Sequence, residues 1–228
     1  MTLRSPPENR LWSRFARNRL ALGSLYFVLA IILLSLVGPP LYGQDANRQQ
    51  YDAINAWPSL RHPLGADSLG RDTLARLMMG LRVSLLVACY VELINIGIGA
   101  SLGLLAGYFG GWIDQVISRL ADMLFAFPGL LLAILIAAVF GPAVTERFGG
   151  VGRLLLVAGS LALVSWPLMA RYVRGQTLAL KQRDFVEAAR MVGAGHARIV
   201  LRHILPNVAS LIIVSATLDV ASVVVNEA

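Results

Sequence analysis

Residues 184–207 read DFVEAARMVGAGHARIVLRHILPN. In a chain made mostly of long apolar runs, this stretch is basic and too polar to cross a membrane. Asp184 is a good N-cap residue and Glu187 stands three positions later, the spacing of a capping box. Glu187-Ala188-Ala189-Arg190 continues in good helix formers. Gly193 and Gly195 interrupt the helix, glycine being the usual residue just past a helix end. A second helix is predicted from Ala194 or Gly195 to about Ile204, because Pro206 cannot continue it smoothly. Ala197, Val200, Leu201 and Ile204 form its predicted apolar stripe, with Arg198 and Arg202 four apart on another face. These residues alone leave two uses open. One is a surface helix on anionic lipid, the other a helix docked in a partner's groove.

The surroundings fix the class. Of 228 residues, 57% are hydrophobic and 14% charged, whereas an average soluble domain carries about 25% charged residues. The apolar segments are apolar all round, so they belong in lipid. An all-α integral membrane protein follows, with spans predicted over 20–42, 81–108, 121–140 and 151–172 and a fifth from about Val208. Pro128 is expected to kink the third span, and residues 141–150 (GPAVTERFGG) to form a loop. No signal-peptide cleavage site follows the first run, which reads as a retained anchor. The sequence stops at Ala228 in an apolar run, so the fifth span is expected to be cut and a sixth to be missing. Cys89 lies inside the second span, has no cysteine partner and is expected to be a small buried apolar residue.

The net charge of +7 is a matter of orientation and not of nucleic acid. With the N-terminus in the cytoplasm, the inner segments 1–19, 109–120 and 171–207 hold 5, 1 and 7 Lys/Arg, and the outer ones, 43–80 and 141–150, hold 4 and 1. Residues 171–207 carry only 2 acids, so the basic hairpin is expected to face the cytoplasm.

EAARMVGAGHARIVLRHILP resembles the EAA motif of the membrane subunits of bacterial ABC importers, E-A-A-x3-G-x9-I-x-L-P. Glu187, Ala188, Ala189, Gly193, Leu205 and Pro206 fall at the motif positions, and His203 stands where the pattern has Ile. HPLGADSLGRDTLARLMMG (62–80) and GLLAGYFGGWIDQVISRLADMLFAFPGLLLA (103–133) are similar to the "C" type permeases of the dipeptide, oligopeptide and nickel branch. The resemblance implies a type I importer bundle: residues 1–80 hold the basic arm, first span and outer segment, and residues 81–228 the permease core, with a coupling element at 184–206. It further implies a second homologous permease, two cytoplasmic ATPases, an extracytoplasmic binding protein and an inner-membrane location. Glu187 would then orient the first short helix, Ala188 and Ala189 would allow close approach, and Arg190, Arg198 and Arg202 would meet acidic residues on the ATPase. The cargo expected is a dipeptide or oligopeptide, with nickel or glutathione as the alternative. ATP and Mg would sit on the partners, since the chain contains no G-x-x-x-x-G-K-[ST] and needs no cofactor of its own.

Three polar residues fall inside spans: Glu92, Asn95 and Asp219. Glu92 and Asn95 share a helix face. All three are candidates for the translocation path, or for binding a peptide amine or a cation, against the plainer use of hydrogen bonding a neighbouring helix. His62, His196 and His203 are dispersed, so no metal site is expected. Gly65 and Gly70 read as turns and Asp72 as a helix cap, while Gly99 and Gly103 have the spacing of close helix packing. An intramembrane enzyme would need paired catalytic groups on facing spans, which the scatter of acids does not offer. A bare membrane anchor presenting the hairpin to lipid is the third class.

Overall fold

The computed structural model describes residues 15–227, with side chains described as far as Val225. Arg4, Arg10 and Arg14 of the basic arm, and the Glu227 side chain, lie outside the described residues. Two compact units divide the chain, Met1–Leu85 and Leu86–Ala228. Four described helices are long and apolar enough to cross a membrane: Arg19–Tyr42, Thr73–Phe109, Gly129–Leu180 and His196–Val225.

In the first unit, α1 (Arg19–Tyr42) starts where the Asn18 side chain accepts from the N–H groups of Leu20 and Ala21, at 3.1 and 3.3 Å. It stops at Gly43, whose φ of 69° favours glycine. Ser35 is its one buried residue, its other faces being left to lipid or partners. The connection that follows bends at Gly65 and Gly70, both at positive φ. A Cβ on Gly70 would stand 2.0 Å from the Gln50 carbonyl oxygen, so the turn reading of these glycines holds.

The second span begins earlier than expected. Asp72 caps α2 (Thr73–Ile94), its Oδ1 accepting from the Ala75 N–H at 2.8 Å, so residues 73–80 are helix and not loop. A π-helical turn (Asn95–Ala100) joins α2 to α3 (Ser101–Phe109). The 37 residues are about 55 Å long, well over the roughly 30 Å of hydrocarbon. Cys89 does not do what the sequence suggested. Val87, Ala88 and Val91 take the buried face, and Cys89 is exposed on the far side of the turn.

The third and fourth spans also differ from expectation. α4 (Gly111–Phe125) is an amphipathic helix of its own, burying Ile117 and Ala121 against Ala106, Trp166 and Ala170. Pro128 therefore does not kink a span that began at Ala121; it precedes α5 (Gly129–Leu180) as its N-cap residue. Residues 141–150 are not a loop: helix persists to Phe148 and breaks at Gly149, whose φ of 66° and ψ of −159° only glycine takes readily. The arms, 129–148 and 150–180, stand for the expected third and fourth spans, and the second runs past Tyr172 to Leu180.

Gly99, Gly103 and Gly107 let α3 and the preceding π turn close on α5. A Cβ on Gly103 would fall 2.5 Å from the Ala170 oxygen, and one on Gly107 would fall 2.7 Å from the Thr177 Cβ. The close approach expected of Gly99 and Gly103 is present, and Gly107 extends it by another turn.

Candidate functional site

Beyond α5 comes the hairpin. α6 (Asp184–Met191) starts one residue earlier than expected, because Arg183 is the N-cap and no side chain caps the helix. The predicted capping box is absent. Asp184 and Glu187 occupy the first turn and Arg190 the last, where their charges complement the helix dipole. The end follows the glycine reading closely. Gly193, at φ 80°, donates to the Arg190 oxygen at 2.9 Å and Ala194 to the Ala189 oxygen at 3.0 Å, which is a Schellman ending.

The second hairpin helix is not a separate piece. α7 (His196–Ile199) passes through a π turn (Val200–Ile204) into α8 (Leu205–Glu227), and Pro206 lies within the continuous helix. Pro206 is tolerated because it follows a turn that already departs from the α pattern, with Leu205 N–H donating to the Val200 oxygen. The wider turn also resets the buried face. Ile199, Ile204, Val208 and Ile212 point inward, whereas Ala197 and Leu201 of the predicted stripe are exposed.

Of the motif residues, Ala189 is buried and Leu205 half-buried; Glu187, Ala188, Gly193, Arg198, Arg202 and Pro206 are exposed. Ala188, Arg198, Arg202, Phe185 and Val192 share an open groove of about 500 Å³. Its floor is continuous with the bundle, since Val186, Ala189, Ile199 and Ile204 join Leu104, Tyr108, Met169 and Val173 in one core. Tyr108 at the end of the second span forms a 2.9 Å hydrogen bond between its hydroxyl and His196 Nδ1. The Arg190 guanidinium stands 6.0 Å from the centre of the Tyr108 ring. Nearby, Arg174 forks onto Asp114, with Nη2 donating at 2.6 Å, and this hydrogen bond holds the Asp114 carboxyl below the usual carboxylate range. Sequence reading missed the Tyr108–His196 tie. The only signal was an aromatic residue at a span end before Gly110–Gly111, and a histidine at a helix start.

The three polar residues inside spans come together. Glu92 and Asn95 are buried, at 6% and 0% exposure, with Asn95 Nδ2 donating to Glu92 Oε2 over a long 3.5 Å. Asp219 of α8 lies within electrostatic range of Glu92. Asn95 and Asp219 line one cavity of about 190 Å³ with Ser165, Ser222, Phe125 and Leu168. Glu92 Oε1 and Asn95 Oδ1 have no partner among the described residues.

A second polar cluster was not foreseen. His62 was read as isolated, yet its Nδ1 lies 2.8 Å from Asp72 Oδ2, which also accepts from the Tyr42 hydroxyl at 2.9 Å. Burial pushes the Asp72 carboxyl up, but hydrogen bonds from Ala75, His62 and Tyr42 outweigh it and leave it below the ordinary value.

Residues 99–228 match the family described as the binding-protein-dependent transport system inner membrane component. Residues 9–58 match the N-terminal TM domain of oligopeptide transport permease C. The chain is 41% identical to the glutathione transport system permease protein GsiD of Pectobacterium atrosepticum over 223 residues, which covers 97% of this chain and 71% of that protein. It is equally similar, at 41% over 97% of the chain, to the same-named protein of Escherichia coli O6:K15:H31, of which it covers 70%. These relatives are transport subunits and not enzymes, so ATP hydrolysis belongs to partner ATPases, and an extracytoplasmic binding protein supplies the cargo. A helical fold of apolar spans, a Gly-sealed helix pair and these matches lead to one assignment: the chain belongs to the inner-membrane permease family of binding-protein-dependent transport systems and is a permease subunit of a type I ABC importer.

Proposed function

We propose that this permease forms half of an import path for glutathione or a short peptide of similar build, beside a second homologous permease. The observation that carries this reading is the 41% identity, over 97% of the chain, to proteins named for glutathione transport. Dipeptides and oligopeptides stay within the reading through the oligopeptide-permease match of residues 9–58. No observation favours nickel.

In this reading the N-terminus and the basic hairpin face the cytoplasm, as the excess of Lys/Arg over 171–207 requires. The groove at Phe185, Ala188, Arg198 and Arg202 takes an ATPase subunit, and ATP and Mg stay on that partner. The exposed Glu187 and Arg202 supply charge, Gly193 the turn, and the buried Ala189 the close contact to the bundle. ATP draws the ATPases together and the hairpin moves with them. Because Val186, Ala189, Ile199 and Tyr108 share one core, the motion passes to the second and fifth spans as a rigid shift, which opens the path to the other side.

The test is the complete importer in proteoliposomes, supplied with labelled glutathione or a labelled dipeptide on the binding protein. Uptake of glutathione supports the cargo; uptake of the dipeptide alone moves it back to peptides. Glu187→Arg or Gly193→Asp should remove ATPase association and lower uptake at least about tenfold, the equivalent of about 1.4 kcal/mol of coupling. Normal association in both variants would end the docking assignment.

A further inference from the structure

We infer that the cavity between the second, fourth and fifth spans, bounded by Asn95, Asp219 and Ser165 with Glu92 behind it, is a binding site for a primary ammonium group, that of the cargo as it passes. This rests on the amine-bearing cargo proposed above and says where in the membrane its charge is received.

The chemistry of the site is rich in acceptors and holds no cationic side chain. Its lining offers the Asp219 carboxyl, the Asn95 amide oxygen and the hydroxyls of Ser165 and Ser222, with the Ser165 proton already given to the Leu161 carbonyl at 2.6 Å and the Glu92 carboxyl behind Asn95. One of the two Asn95 amide N–H donors is given to Glu92 over 3.5 Å. Asn95 is fully buried, lines the cavity, and its Oδ1 has no partner among the described residues. No Lys or Arg is among the lining residues. Arg171, which meets the lining residue Phe125 at 4.2 Å from its ring centre, is already engaged by Asp122, to which it donates at 2.6 Å. An acceptor left unpaired away from water costs several kcal/mol in hydrocarbon. Acids inside a span are seldom kept without a partner. What completes the set is a ligand that donates several hydrogen bonds and carries positive charge.

A primary ammonium does both, with three donors on one small head. Glutathione and ordinary peptides each carry such a group; in a peptide it stands at the end away from the carboxylate, whereas in glutathione a carboxylate is bonded to the same carbon and travels with it. An ordinary peptide therefore enters this cavity amine first, and glutathione does so with its neighbouring carboxylate turned away from Glu92 and Asp219. The backbone is shaped for the purpose at the same point, since the π turn begins at Asn95 and turns the amide toward the α5 and α8 side.

The test uses the complete importer in nanodiscs with ethylammonium chloride, potassium chloride or tetramethylammonium chloride at equal ionic strength. Ethylammonium should raise the midpoint of heat denaturation by about 2 °C over the other two. Asp219→Asn and Glu92→Gln should each remove that shift, and each replaces a carboxyl inside a span by an amide of the same shape, so neither threatens insertion. In proteoliposomes the same variants should lower glutathione uptake about tenfold. Equal shifts in ethylammonium and potassium, or a shift that survives in Asp219→Asn, would overturn the site. A lost shift with normal glutathione uptake would overturn the cargo assignment. If wild-type importer takes up no glutathione, the cargo reading fails on its own while the ethylammonium arm still decides the site.

Discussion

Asp72 and Glu92 are both buried carboxyls, at 1% and 6% exposure, and their surroundings differ completely. Asp72 Oδ1 caps α2 through the Ala75 N–H, and Oδ2 takes the Tyr42 hydroxyl and the His62 ring nitrogen. Glu92 has one long contact from Asn95 and one oxygen with no partner among the described residues. A closed set of hydrogen bonds holds a loop in place. An open set costs free energy that folding alone does not recover, and the proposed ammonium group is what would complete it. In the proposed reading a buried carboxyl thus marks structure in the first unit and a binding site in the second, and each substitution below tests that division.

Asp72→Ala should have the largest effect. It removes a helix cap, which costs about 1 kcal/mol, and leaves the His62 and Tyr42 groups unsatisfied, at about 1–3 kcal/mol for each buried group. We expect a loss of about 3 kcal/mol, read as a lower midpoint of heat denaturation in the complete importer. The pH dependence has a definite sign. Because the folded Asp72 carboxyl lies below its ordinary value of 3.8, its contribution is intact above that value and is lost as pH falls through the lowered one. Hydrogen exchange over residues 50–76, corrected for its intrinsic pH dependence, should therefore quicken below about pH 4, and in Asp72→Ala only the part due to Asp67, which the N–H groups of Arg71 and Leu69 hold down to about 2, should remain.

The Tyr108–His196 tie is intermediate. It is a single part-buried hydrogen bond, and Tyr108→Phe keeps the ring edge on Phe109 and the face near Arg190. Stability should fall by about 1 kcal/mol. The more telling measurement is glutathione imported per ATP hydrolysed. It should drop about threefold, by population-shift arithmetic for a coupling loss under 1 kcal/mol. A variant that imports with the wild-type ratio would place the transmission of hairpin motion elsewhere in the shared core.

The spans, the hairpin and its Gly193 ending were legible in the sequence because each rests on local chemistry: apolar runs, a glycine at positive φ, a motif at fixed spacing. Misreadings came where tertiary contact overrode a local rule. Pro206 was expected to end a helix, but the π turn over Val200–Ile204 carries the chain through it and swings Leu201 outward. Residues 141–150 looked like a loop because of Gly141, Pro142, Gly149 and Gly150, and only one of the four breaks the helix. Glu92, Asn95 and Asp219 were singled out as acids and an amide in lipid, yet their convergence with Ser165 depends on how α5 and α8 pack. The Asp72 cap was readable from its position before Thr73. Its pairing with His62 and Tyr42 depended on the fold of a 30-residue connection, and no sequence spacing encodes that.

The smallest expected change in stability is also the most discriminating. Asp72→Asn and Glu92→Gln are the same chemical edit in the two settings. At position 72 the amide keeps the cap but loses the charge-assisted bonds from Tyr42 and His62, which should cost about 1–2 kcal/mol. At position 92 the Gln oxygen can keep the Asn95 contact, and its amide nitrogen replaces the Glu92 oxygen that has no partner among the described residues. Glu92→Gln should therefore leave the denaturation midpoint within the range of a neutral change, about 0.5 kcal/mol either way, or raise it. A loss matching that of Asp72→Asn would mean that Glu92 already has a structural partner, such as a donor on the second permease. Unchanged stability together with lost glutathione uptake is the combination that a site held open for an ammonium group requires.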